Sequence, residues 1–403
     1  MRLRRASAVV ATAAVLLASG CSPGGHASPG VSTVNVASTA CSQDVATGGS
    51  RDLARPLTSA VPGSPGMMLG ALGGRWAFVS VNSTGDNSVA VMRLGHGSPQ
   101  LTRVVSLPAT MPDAFGMALT HDGRYLLVAG YSATAVFTVS ALESGSGDAL
   151  AGVLSDAETG QFAVAVSPDD QYAYVADESR ASGGMSVFNL GLALRKGFSA
   201  PGVAVGIVPT PPQAVDIAVS PDGTLLYVTA LGTDPTPCSY GQLLVIDASR
   251  ADSGADHDAV LAHVPAGCNP ARVALSPDGS TAWVTALASN LLLAFSTAGL
   301  RSDPAHALRA AVRVGSEPGG LLLADGGRLA LVADSARYMP DAADPQSVTV
   351  VNTADALAHR PALAGTIPAG AFPRNLSYDQ ATGQVMVANF NSATVEVFPA
   401  PRA

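Results

Sequence analysis

Between Val215 and Asp247 the chain changes character every few residues. Ile217 and Val219 alternate with smaller or polar residues, and Ser220-Pro221-Asp222-Gly223 then interrupts them. Leu225 to Leu231 is an aliphatic and aromatic run, and Leu243 to Ile246 is a third apolar burst. Period-two alternation bounded by Pro, Asp and Gly predicts strand, tight turn, strand, loop, strand. Pro221 presets φ at the second turn position, and Gly223 takes the positive φ that closes the turn.

The same pattern recurs along most of the chain. Aligned by their turns, the copies cover residues 67–94, 116–141, 162–190, 215–247, 272–297, 320–352 and 374–398. A fourth apolar segment follows most of them, as at Val260–Val264, Ala311–Val314 and Leu363–Ile367. Four short antiparallel strands in each of seven units of roughly 40 to 60 residues predict an all-β fold, a seven-bladed β-propeller. A helical solenoid is excluded, because no copy keeps a 3.6-residue period over ten residues. The last copy stops after its third strand, at Val395–Phe398, while Leu53–Gly63 has the character of a fourth strand. Leu57–Val61 is therefore expected to complete the last blade, since an open ring would leave an exposed edge.

The turns and second strands carry a resemblance. Val219-Ser220-Pro221-Asp222-Gly223 with Leu226-Tyr227-Val228-Thr229, and Val166-Ser167-Pro168-Asp169 with Tyr174-Val175-Ala176, resemble the YVTN-type β-propeller repeat. That family is similar to the seven-bladed lactonase-like propellers. The resemblance spans roughly residues 53–399; it implies the fold and permits, without specifying, a hydrolase.

The N-terminus reads differently. Arg2, Arg4 and Arg5 precede the apolar stretch Ala8–Ala18, and Leu17-Ala18-Ser19-Gly20-Cys21 looks like a bacterial lipobox. Residues 1–20 are expected to be a lipoprotein signal peptide, with Cys21 the lipidated residue. Residues 21–50, rich in Ser, Gly, Ala and Thr, then form a flexible tether to a single domain over 51–403. An acyl anchor needs no further membrane segment. The implied location is the outer face of the bacterial cytoplasmic membrane or the cell envelope.

Composition narrows the partners. Hydrophobic residues make up 47% of the 403 and charged residues 13%, which suits blades buried on both faces. Removing residues 1–20 takes away three arginines and no acid, so the formal charge goes from −8 to −11. That charge gives no electrostatic case for nucleic acid. A monomer is expected.

Topology places the candidate residues. Loops joining second to third strands emerge on the same face as those linking blades. Cys238 and Cys268 fall in one loop of each kind around blade 4, and an oxidising exported compartment predicts a disulfide between them. Cys41 is left over. Counting back from each turn puts Met67, Gly116, Ala163, Asp216, Arg272, Gly320 and Arg374 at the channel mouth. The positions two further on, from Leu69 and Ala118 to Leu322 and Leu376, are mostly small, as close packing between blades requires.

Asp216, Arg272 and Arg374, with Asp113 as a further carboxylate, form a candidate site for an anionic group. The alternative is that Asp216 pairs with Arg272 across adjacent blades as a structural link. Tyr240, Tyr338 and Met339, on long loops of the same face, are candidates for a rim. The histidines fall in turns, third-to-fourth connections or outer strands, so none is expected at the mouth. Asp334, Asp341 and Asp344 do not match the spacing of a calcium loop. No residue is assigned a catalytic role, and no metal or cofactor is expected. The sequence supports first a binding or scaffolding module for a protein, peptide or envelope component. A lactonase-like hydrolase and a binder of an anionic small molecule are the alternatives.

Overall fold

In the computed structural model, which describes residues 53–403 apart from 85, 157–159, 180–182, 233–239, 255–256 and 338–345, the repeats become seven four-stranded antiparallel sheets. Blade 4 shows the common order: Ala214–Val219, Leu225–Ala230, Tyr240–Asp247 and Val260–Cys268. Blades 1, 2, 3, 5 and 6 repeat it over residues 64–106, 117–154, 161–210, 270–313 and 318–368. The first strands of all neighbouring blades pack on one another, blade 7 on blade 1 included, so a seven-bladed ring closes around its channel. Residues 1–52, on which the expected signal peptide, lipidated Cys21, Cys41 and tether fall, lie outside the described residues.

Blade 7 is closed by the expected device. Its strands Pro373–Asp379, Gln384–Asn389 and Thr394–Pro399 are joined by Leu57–Ala60 as the fourth. Leu57 lies opposite Val397 and Ala60 opposite Thr394, and the Val61 amide donates to the Ala393 carbonyl at 3.0 Å. Val61 is buried with Met68, Val79, Met386, Val395 and Val397, so the seam between blades 7 and 1 has its own apolar core.

Small residues on the innermost strands face large ones on the second. Ala165, Ala218 and Ala274 lie opposite Tyr174, Tyr227 and Trp283, which are among the largest fully buried side chains. The inner strands crowd around the channel, while the second strands have room to fill.

Two details differ from the sequence expectation. Short helices follow the third strand in blades 2 to 6: Val139–Ser144, Leu190–Lys196, Ala248–Asp252, Thr297–Ser302 and Thr353–Leu357. In four of them the residue before the helix caps it. Asn189, Asp247, Ser296 and Asn352 accept from the amides of Leu192, Arg250, Gly299 and Asp355. In blade 3, Asp170 adopts φ 58° where the turn of blade 4 uses Gly223. Its carboxylate accepts from the amides of His121 and Asp122 at 2.7 and 3.1 Å, linking the turns of blades 2 and 3.

Candidate binding site at the channel mouth

Every innermost strand of blades 1 and 3 to 7 breaks register near its start. The skipped residues are Gly66, Phe162, Val215, Ala271, Gly319 and Arg374. Each is a β-bulge, which bends the strand and re-aims one side chain. Pro65, Pro270, Pro318 and Pro373 stand immediately before four of them, at the start of the strand, where a missing N–H is tolerated. Phe115 holds the corresponding place in blade 2, its amide donating to the Ala129 carbonyl.

This register corrects one expectation. Asn375, opposite Ala388, is the blade 7 counterpart of Asp216 opposite Thr229 and Arg272 opposite Thr285. Arg374 is one residue earlier, on the bulge. Asp379, not Tyr378, begins the blade 7 turn, because Asp379 pairs with Gln384 just as the Ser220 amide pairs with the Leu225 carbonyl. A slip of one residue turns a side chain to the other face. Arg374 therefore has a different outlook from Asp216 and Arg272.

Hydroxyls on the second strands fix the bulges. Ser80 accepts from the Met67 amide at 3.0 Å and donates to the Phe115 carbonyl of the next blade at 2.6 Å. Asn82 grips Ala114 through both its amide and its carbonyl. In the same way Thr229 donates to the Ala271 carbonyl, and Thr285 accepts from the Arg272 amide. Blades 1 and 4 thus each hold the innermost turn of the following blade.

Arginine and phenylalanine side chains meet at the mouth. The Arg374 guanidinium lies 5.0 Å from the ring centroid of Phe390 and 5.3 Å from those of Phe115 and Phe162. Phe115 and Phe162 contact each other at 4.9 Å, so the bulge side chains of blades 2, 3 and 7 meet across the channel. Arg272 sits 5.6 Å from Phe162, and Arg337 lies 5.7 Å from Phe372, which packs on Phe390 at 5.4 Å. These are cation–π distances.

The electrostatics are strained. Burial, aided by the charges of Arg272 and Arg337, lowers the Arg374 pKa to about 9, and Glu178 and Asp113 act against the shift. Burial raises Asp113 and Asp216, opposed by Arg374 and Arg272 respectively. Asp216 and Arg272 attract each other, but the expected direct pair does not form among the described residues. The Asp216 carboxylate accepts from the Val273 amide at 2.9 Å instead. Arg272 donates to the carbonyls of Val215 and Ala271 at 3.1 and 3.2 Å, and its Nε is buried without a partner. Main-chain groups occupy both side chains before they can meet.

The structure therefore brings Asp113, Asp216, Arg272 and Arg374 to one mouth, with Glu178, Arg337 and the four phenylalanines added. The phenylalanines carry no sequence signal that separates them from core, and none of the four follows one of the prolines that precede bulges. Tyr338 and Met339 lie outside the described residues, as does the side chain of Tyr240. Cys268 is disulfide-bonded. Cys238 lies outside the described residues, two positions before Tyr240, whose backbone is directly opposite Cys268. Asp334 is buried in blade 6, accepting from Ser347, Thr349 and the Gly315 amide, while Asp341 and Asp344 are not described.

No family model and no curated protein matches the chain. Among solved structures it is similar to Kuenenia stuttgartiensis hydrazine synthase, with a TM-score of 0.65 and 16% identity over 84% of this chain and 96% of that one. It is also similar to the β-propeller domain of Myceliophteria thermophila Cps50 (Swd1), with a TM-score of 0.60 and 11% identity over 85% of this chain and 99% of that one. At these identities the likeness is one of fold, and function rests on the site.

Proposed function

We propose that this chain is an exported, lipid-anchored binding module. Its YVTN-like propeller holds a protein, peptide or cell-envelope component on the face that carries the inter-blade and second-to-third-strand loops. The observation that carries this reading is the convergence at the mouth. Charged and aromatic side chains from several blades converge at the channel entrance, on the face that carries the loops. A β-propeller suits such a role, because a rigid ring presents loops from several blades at once. Cys21 supplies the anchor, and Cys238 is the partner of Cys268 that ties the blade 4 loops together. The lactonase-like alternative needs a carboxylate free to act near the arginines. Its candidates are Asp216 and Asp113; Asp216 is engaged by a main-chain amide, which weighs against that one, and Asp113→Asn tests the other.

The anchor is tested by labelling cells with a fatty-acid probe. Cys21 should take the label, and Cys21→Ser should release the chain from the membrane fraction. The binding role is tested by cosedimentation of the full chain with isolated cell-wall material and by assay against sugar lactones. Turnover of a lactone that disappears in Asp216→Asn or Asp113→Asn would replace this reading with the hydrolase.

A further inference from the structure

The donors of Arg374 are the feature that the fold leaves unexplained. Aromatic rings lie near the guanidinium at 5.0 to 5.3 Å, yet it donates no hydrogen bond among the described residues. A guanidinium carries five N–H donors in its own plane, and the attraction of its charge to nearby rings does not satisfy them. Arg272 and Arg337 add positive potential at the same point. A guanidinium keeps its proton in almost any protein setting, so burial beside like charges is relieved by an anion that comes to it. Arg374 is closely surrounded by protein but retains accessible surface.

We propose that Arg374 binds the carboxylate of a ligand at the channel mouth, as a bidentate pair caged by Phe115, Phe162 and Phe390. This rests on the binding-module reading and gives its site a ligand chemistry. The surrounding charge selects a monoanion. Asp113 and Glu178 act on Arg374, and Asp216 acts on Arg272, so the positive potential is tempered and suits one negative charge better than the two of a phosphate dianion. The phenylalanines favour an apolar group next to the carboxylate. Two sources share that chemistry: a free organic acid, and the C-terminal carboxylate of a peptide with an apolar last residue.

The test is calorimetry with the full chain in mild detergent. Four probes are compared: benzoate, benzamide, acetyl-Ala-Ala-Phe with a free carboxylate, and the same peptide amidated. The acids should bind, and their amides should bind about ten- to a hundredfold more weakly, the loss expected for a charge-assisted hydrogen bond. Arg374→Gln should weaken the acids by a similar factor. Arg374→Lys should recover only part of the loss, because an ammonium has no fork. Benzoate binding as tightly as the peptide acid would identify a free acid as the source, and a clear preference for the peptide would identify a chain terminus. Equal binding of acid and amide, no binding of either acid, or undiminished acid binding by a folded Arg374→Gln would overturn the proposal. If that variant does not fold, the acid-against-amide comparison on the wild type still decides. Loss of acid binding with cell-wall cosedimentation intact removes the carboxylate site alone, whereas failure of both removes the binding-module reading.

Discussion

The two faces of the ring solve the same problem differently. On the face that carries the first-to-second turns, the Ser/Thr-x-Asp side chains find partners within five residues, and among these turns only Asp170 reaches the neighbouring blade, through the His121 and Asp122 amides. Ser220 donates to Asp222 at 2.5 Å and accepts from the Leu225 amide at 2.9 Å, while Asp222 accepts from the Thr224 amide at 3.1 Å. Ser167 with Asp169, Ser276 with Asp278 and Thr120 with Asp122 repeat the arrangement. These bonds favour the charged carboxylate: Ser220 leads in lowering Asp222, and Ser276 leads in lowering Asp278 to about 2. At the mouth the charged groups meet residues from other blades, and burial disfavours their charge at Asp113, Asp216 and Arg374. The turns of one face are mostly satisfied by near neighbours in sequence, whereas the charged groups of the other are buried against their own ionisation. Strain concentrated on one face, with satisfied chemistry on the other, is what a functional site on an otherwise consistent fold looks like.

The comparison holds only while the ring is closed, so the largest effect expected is loss of the closing strand. A chain starting at Gly63 lacks Leu57–Ala60 and the buried Val61, whereas one starting at Arg51 keeps them. Four strand residues and one core valine are together worth on the order of 5 kcal/mol. The shorter chain should melt far lower in calorimetry. Equal melting of the two would show that blade 7 is stable with three strands.

Next in size is Asp334, whose carboxyl burial raises to about 7 despite the hydroxyls of Thr349 and Ser347. Its folded pKa lies above the ordinary value of 3.8, so the folded state binds the extra proton and stability falls as pH rises between those values. The slope is about 1.4 kcal/mol per pH unit for one such group. Asp334→Asn should flatten the slope between pH 3.8 and about 7 in denaturant titrations. An unchanged slope would mean that Asp334 stays ionised and that its hydroxyl donors outweigh burial.

How much of this is legible in the sequence follows the same division. Ser220-Pro221-Asp222-Gly223 announces its turn because all its partners are close in sequence, and the closing strand is visible because the last copy lacks one. Asp216 and Arg272 are reached by counting from those turns. The same count puts Arg374 in the wrong register, because Asp379 takes the place that serine holds in blade 4. Phe115, Phe162 and Phe390 read as ordinary apolar residues, since a bulge is set by pairing with another strand. Arg337 and Glu178 join the mouth through loops whose path the sequence does not encode in any short pattern. The repeat pattern does not predict the short helices, although their caps Asn189, Asp247, Ser296 and Asn352 each stand at the end of a third strand.

Arg374→Met sharpens the contrast from the mouth side. Methionine keeps much of the side chain's length and places a polarizable thioether among the rings. Burying a charge costs free energy unless it is paired; Arg374 forms no direct ion pair among the described residues, so the change relieves that burial and the repulsion with Arg272 and Arg337, and gives up only the longer-range attraction of Glu178 and Asp113. The expected change is zero to about 2 kcal/mol in favour of the variant, read as a rise in denaturant midpoint. A marked loss of stability would make the arginine a structural keystone and the mouth a completed plug.

The smallest effect belongs to the other face. Asp278→Ala removes an acceptor for Ser276, Ser280 and the Ser280 amide, all exposed or half-buried. The groups it frees can turn to water, and the loss should be only about 0.5 to 1 kcal/mol. Its pH signature has the opposite sign to that of Asp334. Asp278 is depressed to about 2 in the folded state, so its contribution is present above the unfolded value near 3.8 and fades as pH falls toward 2. The wild type and Asp278→Ala should therefore differ at about pH 6 and converge near pH 2 in urea melts. A difference that persists undiminished at the acid end would show that the turn depends on the side chain's shape rather than on its charge.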